Sequence, residues 1–148
     1  MSFEEMIEKD FKSSLKERNQ TKVSTLRMLK AEIQNVRFEQ GKTALTDDDI
    51  IKVIRRQIKQ HQDSIEQFEK GRREDLVQKE KEELAILTGY MPRQLSHEEL
   101  TAIINETISE LGASGKKDMG KVIKSVMEKV KGKAEGKKIS QIVSGILK

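Results

Sequence analysis

The stretch Gly89-Tyr90-Met91-Pro92-Arg93-Gln94-Leu95-Ser96-His97-Glu98-Glu99-Leu100 decides how the chain is read. It holds the only proline among 148 residues, and that proline biases Met91, the residue before it, away from helix. Ser96 and Glu99 then stand at the S-x-x-E spacing of a capping box, just ahead of Leu100. A helix stop followed at once by a helix start marks a boundary, which divides the chain into residues 1–92 and 93–148. All five aromatic residues (Phe3, Phe11, Phe38, Phe68 and Tyr90) precede Pro92, so composition changes at the same place.

Outward from that boundary, both sides carry helical periodicity. Upstream, Phe3, Ile7, Phe11 and Leu15 recur every four residues, and Val23, Leu26, Leu29, Ile33 and Val36 mark a second helix ending near Gly41. Thr46 is the expected cap of a third, whose first turn carries Asp47, Asp48 and Asp49, where acids suit the helix dipole. Ile51, Ile54, Ile58, His61, Ile65 and Phe68 form a heptad seam that predicts an extended antiparallel partner. After Gly71, Leu76, Glu80, Leu84 and Leu87 mark a fourth helix. Downstream, Leu100, Ile103, Ile104, Ile108 and Leu111 line a fifth, closed by Gly112. Met119, Val122, Val126 and Val130 line a sixth, with Asp118 as its expected cap. Ile139, Ile142, Val143, Ile146 and Leu147 line the last. With 36% charged residues, 3% aromatics and few turn formers, the expected class is all-α. The expected architecture is a larger N-terminal helical domain of about four helices and a small C-terminal three-helix bundle. Gly120, inside the sixth helix, is expected where helices approach closely.

Charge is uneven along the chain. Residues 1–92 carry 18 basic and 18 acidic side chains, residues 93–111 have net charge −3, and residues 112–148 have +7 from ten lysines and three acids. On a helical wheel Lys117, Lys121, Lys124 and Lys131 fall opposite the apolar side of the sixth helix, and Lys133, Lys137 and Lys138 adjoin them. These seven lysines are the candidate nucleic-acid-binding residues. Lysine without arginine after Arg93 fits point-charge contact with phosphates better than bidentate reading of guanine edges. The missing aromatics argue against stacking on unpaired bases, leaving a folded or duplex nucleic acid read through shape and backbone. A solubilising surface is the plainer reading of the same lysines.

Catalytic chemistry finds little support. The absence of cysteine excludes thiolate zinc sites, cysteine nucleophiles and disulfides. His61 reads as a half-buried packing residue and His97 as a solvated residue at a helix start, with no carboxylate near either at metal-ligand spacing along the sequence. Asp47-Asp48-Asp49 lacks the glycine and distal glutamate of a calcium loop. Gly41-Lys42-Thr43 has Val36 where a phosphate-binding loop needs its first glycine. No G-x-S-x-G elbow is present. The expectation is therefore no catalytic residues, no metal, no cofactor and no enzyme; a catalytic role would require a pocket around His61. No apolar run approaches the ~18 residues a membrane span needs, and the acidic amphipathic start is unlike a signal or transit peptide. The chain is expected to be cytoplasmic.

Asp118-Met119-Gly120-Lys121-Val122, Gly132-Lys133-Ala134-Glu135-Gly136, and Val143 with Leu147 resemble the tail of the GatB/YqeY family. Asp63-Ser64-Ile65-Glu66-Gln67-Phe68, Gly71-Arg72, Glu83-Leu84 and Tyr90-Met91-Pro92 resemble its free-standing YqeY-like members, so the resemblance spans essentially the whole chain. Lys124 stands where a small residue is expected, and Glu135-Gly136 where amidotransferase tails read Asp-Pro. The resemblance implies two helical domains and tRNA as partner, because the similar region of the GatB amidotransferase subunit holds tRNA. It does not imply catalysis, and a carbon–nitrogen ligase label would reflect association only. The resulting expectation is a non-catalytic tRNA-binding accessory module linked to aminoacylation or glutamine-dependent transamidation, with an aminoacyl-tRNA synthetase or amidotransferase as a further partner. The alternative is a helical protein–protein adaptor.

Overall fold

The computed structural model describes residues 2–148, and every regular element among them is helical. Seven α-helices follow in order: α1 (Phe3–Lys16), α2 (Gln20–Glu39), α3 (Asp47–Lys70), α4 (Glu74–Thr88), α5 (His97–Leu111), α6 (Met119–Val130) and α7 (Gly136–Ile146). A 3-10 turn at Lys116–Asp118 precedes α6. The protein is all-α. By contacts the chain forms two compact units, one ending at Met91 and one running from Pro92 to Lys148.

Local chemistry sets the helix ends. Ser2 and Thr46 each accept from the backbone N–H three residues on, and the acids there, Glu5 and Asp49, reach back to the cap N–H in complete capping boxes. That backbone N–H of Thr46 is the main cause holding the Asp49 carboxyl below its ordinary range. Ser96 caps α5 through Glu99 N–H at 3.1 Å, but the return arm is missing. The Glu99 carboxylate instead accepts from Arg93 at 3.0 Å. Gly112 closes α5 in the left-handed conformation, where a Cβ would be strained.

In the N-terminal unit the core gathers Ile7 of α1, Leu26, Leu29, Ile33 and Val36 of α2, Ile50, Val53 and Ile54 of α3, and Leu87 of α4. Two of the expected faces are rotated. On α1, Leu15 is 47% exposed while Ser14 is buried. Steps of four residues advance the helical wheel by about 40° too far each time, so a face starting at Phe3 has drifted off the core by Leu15. Ser14 tolerates burial because its hydroxyl donates to the Phe11 carbonyl at 2.7 Å. On α4 the buried residues are Val77, Glu83 and Leu87, with Leu76 and Leu84 at the margins.

α3 and α4 are joined by three residues and pack as an antiparallel hairpin, the most extensive helix pair in the chain. The main core takes α3 only as far as Ile54, with Ile58 at its edge. Beyond that point the hairpin is held by its own seam: Gln57, His61, Val77 and Glu83 are buried, and Ile65, Phe68 and Leu76 are half-buried.

The C-terminal unit has a separate core of Leu100 and Ile104 from α5, Val122, Val126 and Val130 from α6, and Ile139, Val143 and Leu147 from the last segment. Every member is aliphatic. Its entry is pinned by Leu95 N–H, which donates to the Lys133 carbonyl at 2.8 Å. Asp118 does not cap α6; its carboxylate accepts from Ser114 N–H at 3.1 Å and folds the preceding turn.

Gly120 corrects an expectation. It is exposed on the first turn of α6, and a Cβ built there would meet nothing within 4 Å, so no neighbouring helix requires the glycine. Lys124 is likewise exposed and disturbs no helix contact.

Gly120→Ala should therefore stabilise the protein by about 0.4–1 kcal/mol, by restricting the unfolded chain and favouring helix, as urea denaturation will measure. A second expectation concerns Tyr90, whose hydroxyl donates to the Asp10 carboxylate at 2.5 Å. Burial, then that hydrogen bond and the carboxylate charge, push its pKa well above the ordinary value. The pair's stabilisation is thus complete below the ordinary tyrosine pKa of about 10 and is lost as pH rises from there through the raised folded value. As the chain has one tyrosine, ultraviolet titration reads it directly, and Asp10→Asn should lower the midpoint.

Candidate nucleic-acid interface

The seven candidate lysines are all exposed: Lys117 in the 3-10 turn, Lys121 and Lys124 on α6, Lys131 at its C-terminus, Lys133 in the following turn, and Lys137 and Lys138 in the first turn of α7. Among the described residues none of them forms an ion pair. The remaining α6 lysine behaves differently. Lys129 Nζ donates to Glu110 at 2.8 Å and to the Thr107 hydroxyl at 2.9 Å, tying α6 to α5.

The seven fall into two groups instead of one continuous stripe. Lys117, Lys121 and Lys124 belong to the start of α6; Lys131, Lys133, Lys137 and Lys138 belong to its end and to the start of α7. Seven residues of helix, about 10 Å, separate Lys124 from Lys131. Lys131 also has a local reason to be basic. It terminates α6 with φ of 45°, and the other two non-glycine residues with positive φ, Arg18 and Arg72, are also cations just beyond helix C-termini. A cation there complements the negative end of the helix dipole.

The helix starts carry the more telling charge. α1, α3, α4 and α5 all place acids in their first turns, the sign the dipole favours. α2, α6 and α7 have none: α2 has Lys22 there under an Asn19 cap, α6 has Lys121, and α7 has Lys137 with Lys138. Neither α6 nor α7 has a side-chain cap from Asp118 or Glu135, as α4 has none from Arg73. At α6 the Lys116 carbonyl of the preceding 3-10 turn accepts from Met119 N–H. It is thus the start of α7, beside Lys137 and Lys138, that offers N–H donors to an anion with several acceptor oxygens.

Away from the lysines, the structure revises the reading of His61. The ring is buried, 9% exposed, but it faces carboxylates and not apolar side chains. Nδ1 lies 2.8 Å from the Gln57 carbonyl oxygen, which can only accept, so Nδ1 carries hydrogen. Nε2 lies 3.0 Å from Glu83 Oε2 and 3.6 Å from Glu80 Oε2. The expectation that no carboxylate accompanies the histidine considered spacing along the chain, whereas the hairpin joins residues about twenty positions apart. Glu80, on an otherwise apolar stripe of α4 facing a seam histidine, was the available signal. His97 is exposed at the start of α5.

Fold and surface together define a class: an all-α protein with a basic, aliphatic-cored C-terminal unit. Residues 4–147 match the family model described as Yqey-like protein, and the chain belongs to that family. It is 32% identical over 144 residues to "Altered inheritance of mitochondria protein 41, mitochondrial" of Pyrenophora tritici-repentis, covering 93% of this chain and 78% of that protein. An uncharacterized protein of Schizosaccharomyces pombe is 33% identical over 92 residues, 62% of this chain and 74% of that one. The Kluyveromyces lactis protein of the same name as the first is 29% identical over 110 residues, 73% of this chain and 60% of that protein. The mitochondrial names of these relatives overturn the expectation of a cytoplasmic chain. A chain without cysteine fits a reducing compartment but does not distinguish one reducing compartment from another. Among the described residues no helix is long and apolar enough to cross a membrane.

The division between structural and free lysines has a direct check. The Lys129 ammonium, first through its hydrogen bond and then through its charge, holds the Glu110 carboxyl below the ordinary range. That contribution is present above the unfolded carboxyl pKa and is lost as pH falls through the lowered folded value. Lys129→Met should return the Glu110 titration, followed by NMR, to the ordinary range and leave nucleic-acid binding unchanged.

Proposed function

We propose that this protein is a non-catalytic tRNA-binding accessory module linked to aminoacylation or transamidation. Residues 93–148 are its binding domain, and residues 1–92 position the RNA or the enzyme that uses it. The observation that carries this reading is the charge at the starts of α6 and α7, where lysines without a side-chain cap replace the first-turn acids of α1, α3, α4 and α5. α2, the other start without acids, is capped by Asn19. A purely solubilising surface gains nothing from placing cations where the dipole opposes them. Phosphate oxygens satisfy both the lysines and the backbone donors. With no aromatic residue after Tyr90, the contact reads backbone and shape, not unpaired bases. The family resemblance to a tRNA-holding region supports the choice of RNA.

A second reading, a helical protein–protein adaptor, draws on Phe38. This ring is 89% exposed at the end of α2, beside an open cleft lined by Gln34, Arg37, Gly41 and Lys42. An aromatic so exposed offers apolar contact area to a protein partner.

Anisotropy titration of the full chain with bulk tRNA and with duplex DNA separates the two. Lys121→Gln with Lys133→Gln should weaken binding to all tRNAs about equally, because phosphate contacts position without specifying. The log–log salt slope should become shallower by roughly 0.7–0.9 for each phosphate that the variant no longer neutralises, and stability should stay within about ±0.5 kcal/mol. The control changes Lys9 and Lys16, both exposed on α1. Equal weakening by both pairs means bulk charge and no site. Equal weak binding to tRNA and DNA, or none, overturns the tRNA reading; Phe38→Ala is then the variant for partner capture.

A further inference from the structure

We propose that His61, Glu80 and Glu83 form a binding site for one divalent cation of the zinc class, at the neck of the α3–α4 hairpin. The inference is independent of the lysine face. It begins with hydrogen placement. The Gln57 carbonyl holds the hydrogen of His61 on Nδ1 at 2.8 Å, which leaves the Nε2 lone pair aimed at two carboxylates, 3.0 Å and 3.6 Å away. Three acceptors converge on one point, and a positive charge has to occupy it. A proton there leaves the trio at net −1, whereas a dication brings it to zero. His61 and Glu83 are both more than nine-tenths buried, so the uncompensated charge is the costly alternative.

The spacing fits an ion. Ligand atoms about 2.0–2.1 Å from a tetrahedral zinc lie roughly 3.3 Å from one another. The two Nε2–oxygen distances bracket that value, and all three ligand atoms lie within 4.8 Å of one another. A histidine whose other nitrogen donates to a backbone carbonyl is the usual outer-shell arrangement around bound zinc, fixing tautomer and ring plane. The imidazole nitrogen selects zinc-like ions over magnesium or calcium, which take oxygen ligands. Glu80 is half-buried, so the fourth position opens to solvent on its side. Because the ligands come from both helices beyond the main core, the ion would clamp the hairpin where apolar burial thins out.

The test uses the full chain free of any histidine tag. Calorimetric titration with zinc chloride should saturate at one ion per chain, and excess zinc should raise the melting temperature by roughly 5–10 °C at a hundred times the dissociation constant. Cobalt chloride in its place should give the visible absorption of a four- or five-coordinate ion. Glu80→Gln, at the partly exposed ligand, should keep the helical circular dichroism and weaken zinc binding at least about tenfold, with Glu83→Gln weakening it further. His97→Gln should change nothing. The proposal is overturned by the absence of saturable binding at one ion per chain, by unchanged affinity in Glu80→Gln, or by loss of binding in His97→Gln. In the first case a proton on Nε2 is what bridges the carboxylates.

Discussion

Scarcity of apolar side chains governs this structure. About a third of the residues are hydrophobic, five are aromatic and none is cysteine, so cores must be assembled from Ile, Leu and Val at helical spacing. A helix with so few apolar residues can cover only one stripe, and each stripe has to meet another. Two aliphatic clusters result, one in each unit. The remaining helix surface is charged, and its treatment differs between the units. In the N-terminal unit Glu4 pairs with Arg37, Glu8 with Lys30 and Glu32 with Arg56, joining α1 to α2 and α2 to α3. In the C-terminal unit one lysine of ten, Lys129, is bound to the neighbouring helix, and the candidate lysines stand exposed.

This contrast gives the basic segment its meaning. Charge alone predicts solubility and long-range attraction to polyanions, without a site. Charge placed against a helix dipole says more, because the local structure would be better served by acids. Thr46 with Asp49 and Ser2 with Glu5 show that this sequence builds complete caps where a helix start has only to be stable. α4, α6 and α7 have no side-chain cap, and of these only α6 and α7 also lack acids in the first turn. Gly120 sharpens the point: it lies exposed in the first turn of α6 with no packing need, in a turn with neither an acid nor a side-chain cap. A lysine-bearing helix start without first-turn acids is well suited to an anionic ligand.

The sequence made the helix ends legible because their signals are local. Pro92, Ser96, Thr46, Gly71 and Gly112 act on the backbone within a few residues, and the structure uses each as a boundary. Faces were less legible, since they depend on what a helix meets. Steps of four led from Ile7 to Leu15, whereas the true period buries Ser14. On α3 the heptad seam is real, yet Ile50, Val53 and Gln57 are buried as well, because its first half packs on more than one neighbour. The lysines' exposure followed from the wheel; their division into two groups followed from where α6 begins and ends. His61 was the opposite case: its partners lie on another helix, and only the hairpin's register brings Glu80 and Glu83 to its ring.

That register is the final consequence. In the hairpin Glu83 lies opposite His61, so a slide of one heptad would set its carboxylate against Ile54 in one direction or Phe68 in the other. An apolar seam tolerates such a slide, because aliphatic residues at heptad spacing meet equivalent neighbours seven positions along. A carboxylate does not, since a buried charge stripped of its partner costs about 3–5 kcal/mol. The His61–Glu83 contact thus singles out one alignment of α3 and α4. The same alignment delivers Leu87 to the main core that Ile50, Val53 and Ile54 of α3 also enter. Whatever positive charge lies between the histidine and the two glutamates, the least hydrophobic point of the hairpin is the one that determines how its hydrophobic end is built.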